Sequence, residues 1–143
     1  MIIMSVDYGD KRTGIAICDK LEMLASPVCV LTEWNCETLA DKIIALAKEK
    51  NAQIIVVGLP KNMDGSQGFR ADACRELGGL LKSRTDIPIE FWDERLTTVS
   101  AHKILNENNV RGKKRKAVVD AVAAVIILES YLEYRRNTGE SVT

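Results

Sequence analysis

Carboxylates stand at three well-separated places in this chain where an ordinary surface role does not account for all of them. Asp7 closes an apolar run in VDYGDKRTGIA, residues 6–16. Asp93 and Glu94 directly follow the apolar IEFW. Asp120 interrupts AVVDAVAAVIILESYL, residues 117–132, in which every other residue up to Leu128 is apolar. A helix that is apolar all round is buried on most of its faces. A lone carboxylate in such a helix is strongly penalised or takes up a proton, so Asp120 needs a partner. A salt bridge to Arg95 or Lys116 would serve, and so would a cation. Asp7 has a local alternative as a turn residue accepting nearby N–H groups. Asp93 and Glu94 have one as solvated residues, with Asp93 paired to Arg95 or capping a helix. If the acids converge, their mutual repulsion must be offset by a cation. Mg²⁺ suits oxygen donors and keeps waters for a substrate, with Mn²⁺ a second candidate. Two such ions about 4 Å apart would divide the work of activating water and stabilising the leaving oxygen of a phosphodiester.

Basic residues cluster near the same segments. RGKKRK, residues 111–116, carries five positive charges in six positions just before the helix that bears Asp120. Positive charge there opposes the helix dipole, so helix stability does not explain it. It is either a solvated loop or a loop that contacts phosphates, through Arg111, Lys113, Lys114, Arg115 and Lys116. Lys11 and Arg12 add charge in the turn after Asp7, and Arg95 adds it beside Glu94. GLPKNMDGSQG, residues 58–68, is a loop with Lys61 and Asn62 in it and Arg70 just beyond. It is either a substrate rim or simply a connection. Such contacts position a nucleic acid without reading its sequence. The whole chain is balanced, with 20 Lys plus Arg against 20 Asp plus Glu, so any polyanion surface must be a local patch.

Other chemistries have less support. Four cysteines form no CxxC pair and there is one histidine, His102, so a structural zinc site is not expected. Buried free thiols in a reducing compartment are the simpler account. The start MIIMSVDYG does not read as a signal peptide, and the longest apolar run, eight residues at 121–128, is too short for a membrane span. A cytoplasmic location without membrane association follows as the expectation.

The elements that must position these groups can be read from periodicity. Strands are expected at Ile2–Asp7, Gly14–Cys18, Pro27–Leu31, Gln53–Gly58 and Ile87–Trp92, the first two joined as a hairpin. Helices are expected from an Asn35 cap through Ala47, over Gln67–Lys82 despite Gly78 and Gly79, from Thr97 or Thr98 to Asn108, and over about Ala117–Arg136. In the first of these, Cys36, Leu39, Ala40, Ile43, Ile44 and Ala47 face inward. In the second the inward set is Ala71, Cys74, Leu77 and Leu81. Phe91 is expected in the core, with Trp92 on the opposite face. Helices between later strands are the crossovers that parallel strands need. The expected architecture is α/β, a mixed five-stranded sheet with helices on both faces. It forms one domain over residues 1–136, with 137–143 a frayed tail. Strand ends are where sites form in such sheets, and Asp7 and Asp93–Glu94 both lie at strand ends.

Four blocks in this order, VDYGDKRTGIA (6–16), VGLPKNMDGSQG (57–68), DERLTT (93–98) and KKRKAVVDAVAAVIILESYL (113–132), resemble the YqgF/RuvX group of Holliday junction resolvase-like proteins, also known as pre-16S rRNA nucleases. The resemblance runs from Ile3 to about Tyr131. It implies an RNase H-like fold and a divalent-metal-dependent endonuclease. Asp7, Glu94 and Asp120 correspond to the family's catalytic metal ligands, and Asp93 is an accessory acid. Mg²⁺ or Mn²⁺ is the implied cofactor, two ions with substrate bound, and the implied products carry a 5′ phosphate and a 3′ hydroxyl. The implied role is 5′-end maturation of pre-16S rRNA, with pre-ribosomal particles as partners. The alternative is resolution of branched DNA, for which a homodimer would supply two symmetric cuts. An alternative of another class is a nucleic-acid-binding module that does not cut. DYGDKRTGIA also looks like the first phosphate loop of sugar-kinase and actin-type ATPases, but the second domain those enzymes use does not fit in 143 residues.

Overall fold

The computed structural model describes residues 1–9, 12–60, 69–94 and 112–138, without the side chains of 69–70 and 112–120. Its elements are β1 (Ile3–Tyr8), β2 (Thr13–Cys18), β3 (Ala25–Leu31), α1 (Cys36–Glu49), β4 (Ile54–Leu59), α2 (Phe69–Arg84), β5 (Ile89–Asp93) and α3 (Gly112–Thr138). The expected helix from Thr97 or Thr98 to Asn108, with His102, lies outside the described residues.

The strand order is β3-β2-β1-β4-β5. β1 pairs antiparallel with β2, and β2 with β3. β1 pairs parallel with β4, and β4 with β5. The expected mixed sheet therefore forms, with β1 at its centre. A short hairpin link serves the antiparallel side, and the longer connections serve the parallel side. Gly9 makes the hairpin possible: a Cβ there would collide with the backbone carbonyl of Arg12.

Strand alternation sorts the side chains into two layers. Met4, Val6, Ile15, Ile55, Val57, Leu59 and Ile89 meet α1 and α2 in one apolar cluster. The inward residues foreseen for α2, Ala71, Cys74, Leu77 and Leu81, are all buried in it, as is the α1 stripe except for the half-buried Cys36. Ile3, Ala16, Cys18, Ala25, Ile54, Val56 and Trp92 meet α3 in the other. Phe91 and Trp92 thus take opposite faces, as alternation requires. Burial pushes the thiols of Cys18 and Cys29 up, which keeps them protonated.

The boundaries differ from expectation in instructive ways. β3 begins at Ala25, so Pro27 lies inside it, opposite Ala16 and beside a register shift at Ile15/Ala16. An edge strand tolerates this because the missing N–H need not serve a neighbour. α2 ends at Arg84, two residues later than the periodicity suggested, and its expected start at Gln67 lies outside the described residues. α3 begins at Gly112 and ends at Thr138, so the basic run after Arg111 is helix rather than loop, and the helix reaches past Arg136. Lys and Arg are good helix formers, and extending an existing helix needs no new nucleus. Those gains outweigh an unfavourable dipole interaction of about 0.3–1 kcal/mol per exposed charge. Gly78 is retained in α2 because the Phe91 ring occupies the place of its missing Cβ, whereas a Cβ at Gly79 would meet nothing. No described helix is long and apolar enough to cross a membrane.

Candidate functional site

The direction of α3 decides what the site contains. Near its C-terminal end, Arg135 Nε donates to Glu22 Oε1 at 2.7 Å, and Nη2 donates to Oε2 at 3.4 Å. Glu22 is only 1% exposed and sits in the β2–β3 turn with a left-handed φ of 58°. That turn lies at the edge of the sheet where β1 begins, since Ile17 pairs with Met4. Midway along, the buried Ser5 Oγ donates to the carbonyl of Ala124 at 2.6 Å. α3 therefore runs antiparallel to β1, and its N-terminal end lies toward the edge where β1 ends. The small Ala124, wholly buried, permits this close approach.

From the Ser5–Ala124 contact, two residues forward along β1 reach Asp7, a rise of about 6.6 Å. Four residues back along α3 reach Asp120, a rise of about 6 Å. The two positions stand level. Asp7 follows Ile3 and Ser5 in strand alternation, which puts it on the α3 face, and it is half-buried. The side chain of Asp120 lies outside the described residues.

Glycines flank Asp7 on both neighbouring strands. Gly14 on β2 is its register partner. Gly58 on β4 is one step beyond the Val6–Val57 pair. Neither places a side chain beside the carboxylate. A Cβ built on Gly58 would lie 2.5 Å from Ile127 Cδ1 and 3.4 Å from Glu94 Oε1. The half-buried Glu94 thus reaches from the end of β5 back across β4, into the space that Gly58 leaves open. Gly58 pairs with Trp92, two residues before Glu94. Glu94 Oε1 is thereby brought to the strand next to Asp7, on the face that α3 covers. Asp93 pairs with Leu59, whose side chain belongs to the α1–α2 cluster, so alternation assigns Asp93 to the other face.

Two acids from chain segments nearly ninety residues apart are thus brought to one face and one edge, and the backbone of a third stands level with the first. The donor set is all oxygen, with a glycine-floored space beside it, which fits a hard divalent cation. Among the described residues, no group of three His, Cys, Asp or Glu side chains is arranged to hold a metal ion. Of the basic candidates, Arg12 is half-buried at the entry to β2. Arg70 lies in the first turn of α2, and Lys113, Lys114, Arg115 and Lys116 lie in the opening turns of α3. Lys11, Lys61, Asn62, Arg95 and Arg111 are outside the described residues. No acidic residue occupies the first turn of α3, so side-chain charge and helix dipole are both positive there, near the edge where β1 ends.

Sequence reasoning missed two supports of this arrangement. Ser5 was visible only as one polar residue in IIMSVD. The Glu22–Arg135 pair had no local signal, since its members are 113 residues apart.

The chain is similar to known proteins along nearly its whole length. The profile described as "RuvX: Holliday junction resolvase" matches residues 1–134. A Halothermothrix orenii protein named "Putative pre-16S rRNA nuclease" is 47% identical over 135 residues, covering 94% of this chain and 96% of that one. A Clostridioides difficile protein of the same name is 41% identical, covering 95% and 96%. Among solved structures, Thermus thermophilus RuvC in complex with a Holliday junction substrate superposes with a TM-score of 0.64 at 10% identity, covering 99% of this chain and 98% of that one. The fowlpox virus resolvase with Holliday junction DNA gives 0.56 at 16% identity, covering 94% and 98%. At those identities the structures establish a shared fold, the RNase H-like one. Profile, relatives and fold agree, and the chain belongs to the RuvX family of nucleases.

Proposed function

We propose that this protein is a divalent-cation-dependent endonuclease that trims the 5′ end of pre-16S rRNA, with Asp7, Glu94 and Asp120 as its catalytic carboxylates. The observation that carries the reading is Glu94 Oε1 reaching over Gly58 toward the end of β1, where Asp7 stands between two glycines. The choice of RNA is supported by the relatives named for pre-16S rRNA, which reach 47% identity. Mg²⁺ or Mn²⁺ would be held by Asp7 and Glu94, with Asp120 completing the set and Asp93 acting at most indirectly. When bound, such ions would supply the positive charge that polarises a scissile phosphate and acidifies water.

The chain's own residues supply the rest. The carboxylates of Asp7 and Glu94 set where the cations sit, and their partial burial strengthens that attraction. The missing side chains at Gly14 and Gly58 leave room for a phosphate to approach both acids. Lys113 to Lys116 at the positive end of α3 would hold flanking phosphates, with Arg12, Arg70, Arg95 and Arg111 extending the track and Lys11, Lys61 and Asn62 at its rim. The nuclease domain spans 1–136, works in the cytoplasm and meets its substrate on pre-ribosomal particles.

Branched DNA is the second reading, favoured by the description of the matching family profile. It would require a homodimer for two cuts. Cleavage of precursor 16S rRNA and of a four-way DNA junction, measured side by side with Mg²⁺ on exhaustively purified protein, separates the two. Precursor rRNA is expected to be cut and the junction not. D7N, E94Q and D120N should each lose at least about 100-fold in rate with unchanged melting temperature. Normal cleavage by the variants would overturn the site. Binding without cleavage by the wild type would make the protein a binding module.

A further inference from the structure

The chain has two tryptophans with opposite environments. Trp92 is 9% exposed and packs between Tyr131 and Tyr134, with ring centroids at 5.8 and 5.5 Å. Trp34 is 76% exposed. A single exposed apolar residue needs no explanation on its own. The position and the support of Trp34 make the case.

β3 runs parallel to β1, because both pair antiparallel with β2. It therefore leaves the sheet at the edge where Asp7 stands. Val30 pairs with Gly14, and Gly14 pairs with Asp7, so Trp34 follows four residues beyond the level of Asp7. Two strand spacings sideways, about 10 Å, and four residues of extended chain, about 14 Å, put the Trp34 backbone at most about 24 Å from that of Asp7. At ~3.4 Å per stacked nucleotide this is about seven nucleotides at most.

The backbone on both sides of Trp34 is tied down. Glu33 Oε2 accepts from Lys42 Nζ at 3.0 Å, and Glu33 Oε1 accepts from the Asn35 N–H at 3.3 Å. These bonds, the Lys42 one foremost, hold the Glu33 carboxyl below the usual range and offset its charge next to the indole. Asn35 caps α1, its Oδ1 accepting from the Thr38 N–H at 3.1 Å. A large aromatic face is thus presented to solvent on a fixed segment, at the same edge as the cleavage site. Unpaired bases expose a π-face, and aromatic side chains bind such bases by stacking.

We propose that Trp34 is a stacking subsite for an unpaired nucleobase, holding the strand within about seven nucleotides of the bond to be cut. The proposal rests on the nuclease reading above. It assigns Trp34 to binding and not to the chemical step.

The test uses the full-length protein without divalent ions and at low salt, so that nothing is cut. Wild type, W34F and W34A are titrated with a short single-stranded RNA and with a blunt duplex of the same sequence. Tryptophan emission and the anisotropy of a labelled strand are read together. Single strand should quench the exposed wild-type emission saturably, and duplex should quench it far less. W34A should bind single strand about 5- to 100-fold more weakly, W34F should recover most of that loss, and duplex affinity should not move. Equal single-strand binding by W34A and wild type would overturn the subsite and leave the nuclease reading intact. So would a change in oligomeric mass in W34A without a change in RNA affinity, which would make Trp34 a protein contact. Absence of nucleic-acid binding by the wild type would overturn both.

Discussion

The two faces of the sheet are made from the same five strands and differ in almost every other respect. Toward α1 and α2, the buried strand side chains are apolar except for Thr13, from Met4 and Val6 to Ile55, Val57 and Ile89. Toward α3, the alternate positions of the same strands carry Ser5, Asp7, Gly14, Gly58 and Glu94. The first face is held mainly by burial, which is strong and tolerant of small shifts, with Arg84 pairing to Asp41 between α2 and α1 at the surface. The second is held partly by directional contacts, the Ser5 hydroxyl on the Ala124 carbonyl and the Glu22–Arg135 pair. Directional bonds fix the axial position of α3 more sharply than apolar packing does, and that position sets the level of Asp120 against Asp7. One face therefore stabilises the fold, and the other gives up apolar area to position chemistry.

Substitutions on the two faces should separate stability from activity. The largest effect is expected from E94Q, which removes the charge poised over Gly58 but keeps its volume. Cleavage should fall at least about 100-fold while thermal unfolding stays within a degree or two of wild type. The mirror case is Leu77→Ala on the α2 side. Denaturant titration should show a loss of about 2–5 kcal/mol, with cleavage per folded molecule unchanged. Serine to alanine at position 5 should sit between them. It costs about 0.5–1.5 kcal/mol in stability, yet it should depress cleavage by more than that stability loss explains, because α3 is freed to slide. The adjacent glycines of α2 should leave cleavage unchanged and move stability in opposite directions. Gly79→Ala should raise stability by about 0.5–1 kcal/mol. Gly78→Ala should lower it by about 1–3 kcal/mol, because the Phe91 ring must move.

What the sequence could reveal follows the same division. The α1–α2 face was legible because its core positions repeat at strand and helix periods, and Ala71, Cys74, Leu77 and Leu81 fell where the spacing put them. The hairpin was legible from Asp7 to Gly14, where Gly9 and the short polar link leave few options. The start of α3 was not, because Arg111 to Lys116 read equally as loop or helix until the buried helix behind them is known to extend. Choosing between Asp93 and Glu94 requires the phase of β5, and two adjacent acids carry no phase. The burial of Trp92 against α3, the Leu59–Asp93 pairing and the contact of Glu94 with the Gly58 position together assign Glu94 to that face. Ser5, Glu22 and Arg135 act through single tertiary contacts, and no local periodicity announces such pairs. Trp34 carries no local signal either, since exposure is a property of the folded surface alone.

The central claim is that Asp7, Glu94 and Asp120 share one cation site. Equilibrium Mn²⁺ binding, followed through the EPR signal of the free ion, measures this without substrate and without turnover. Wild type should show saturable binding, and D7N, E94Q and D120N should each weaken it by about 10-fold or more while remaining folded. A D120N protein that binds Mn²⁺ as tightly as wild type would remove α3 from the site and contradict the account.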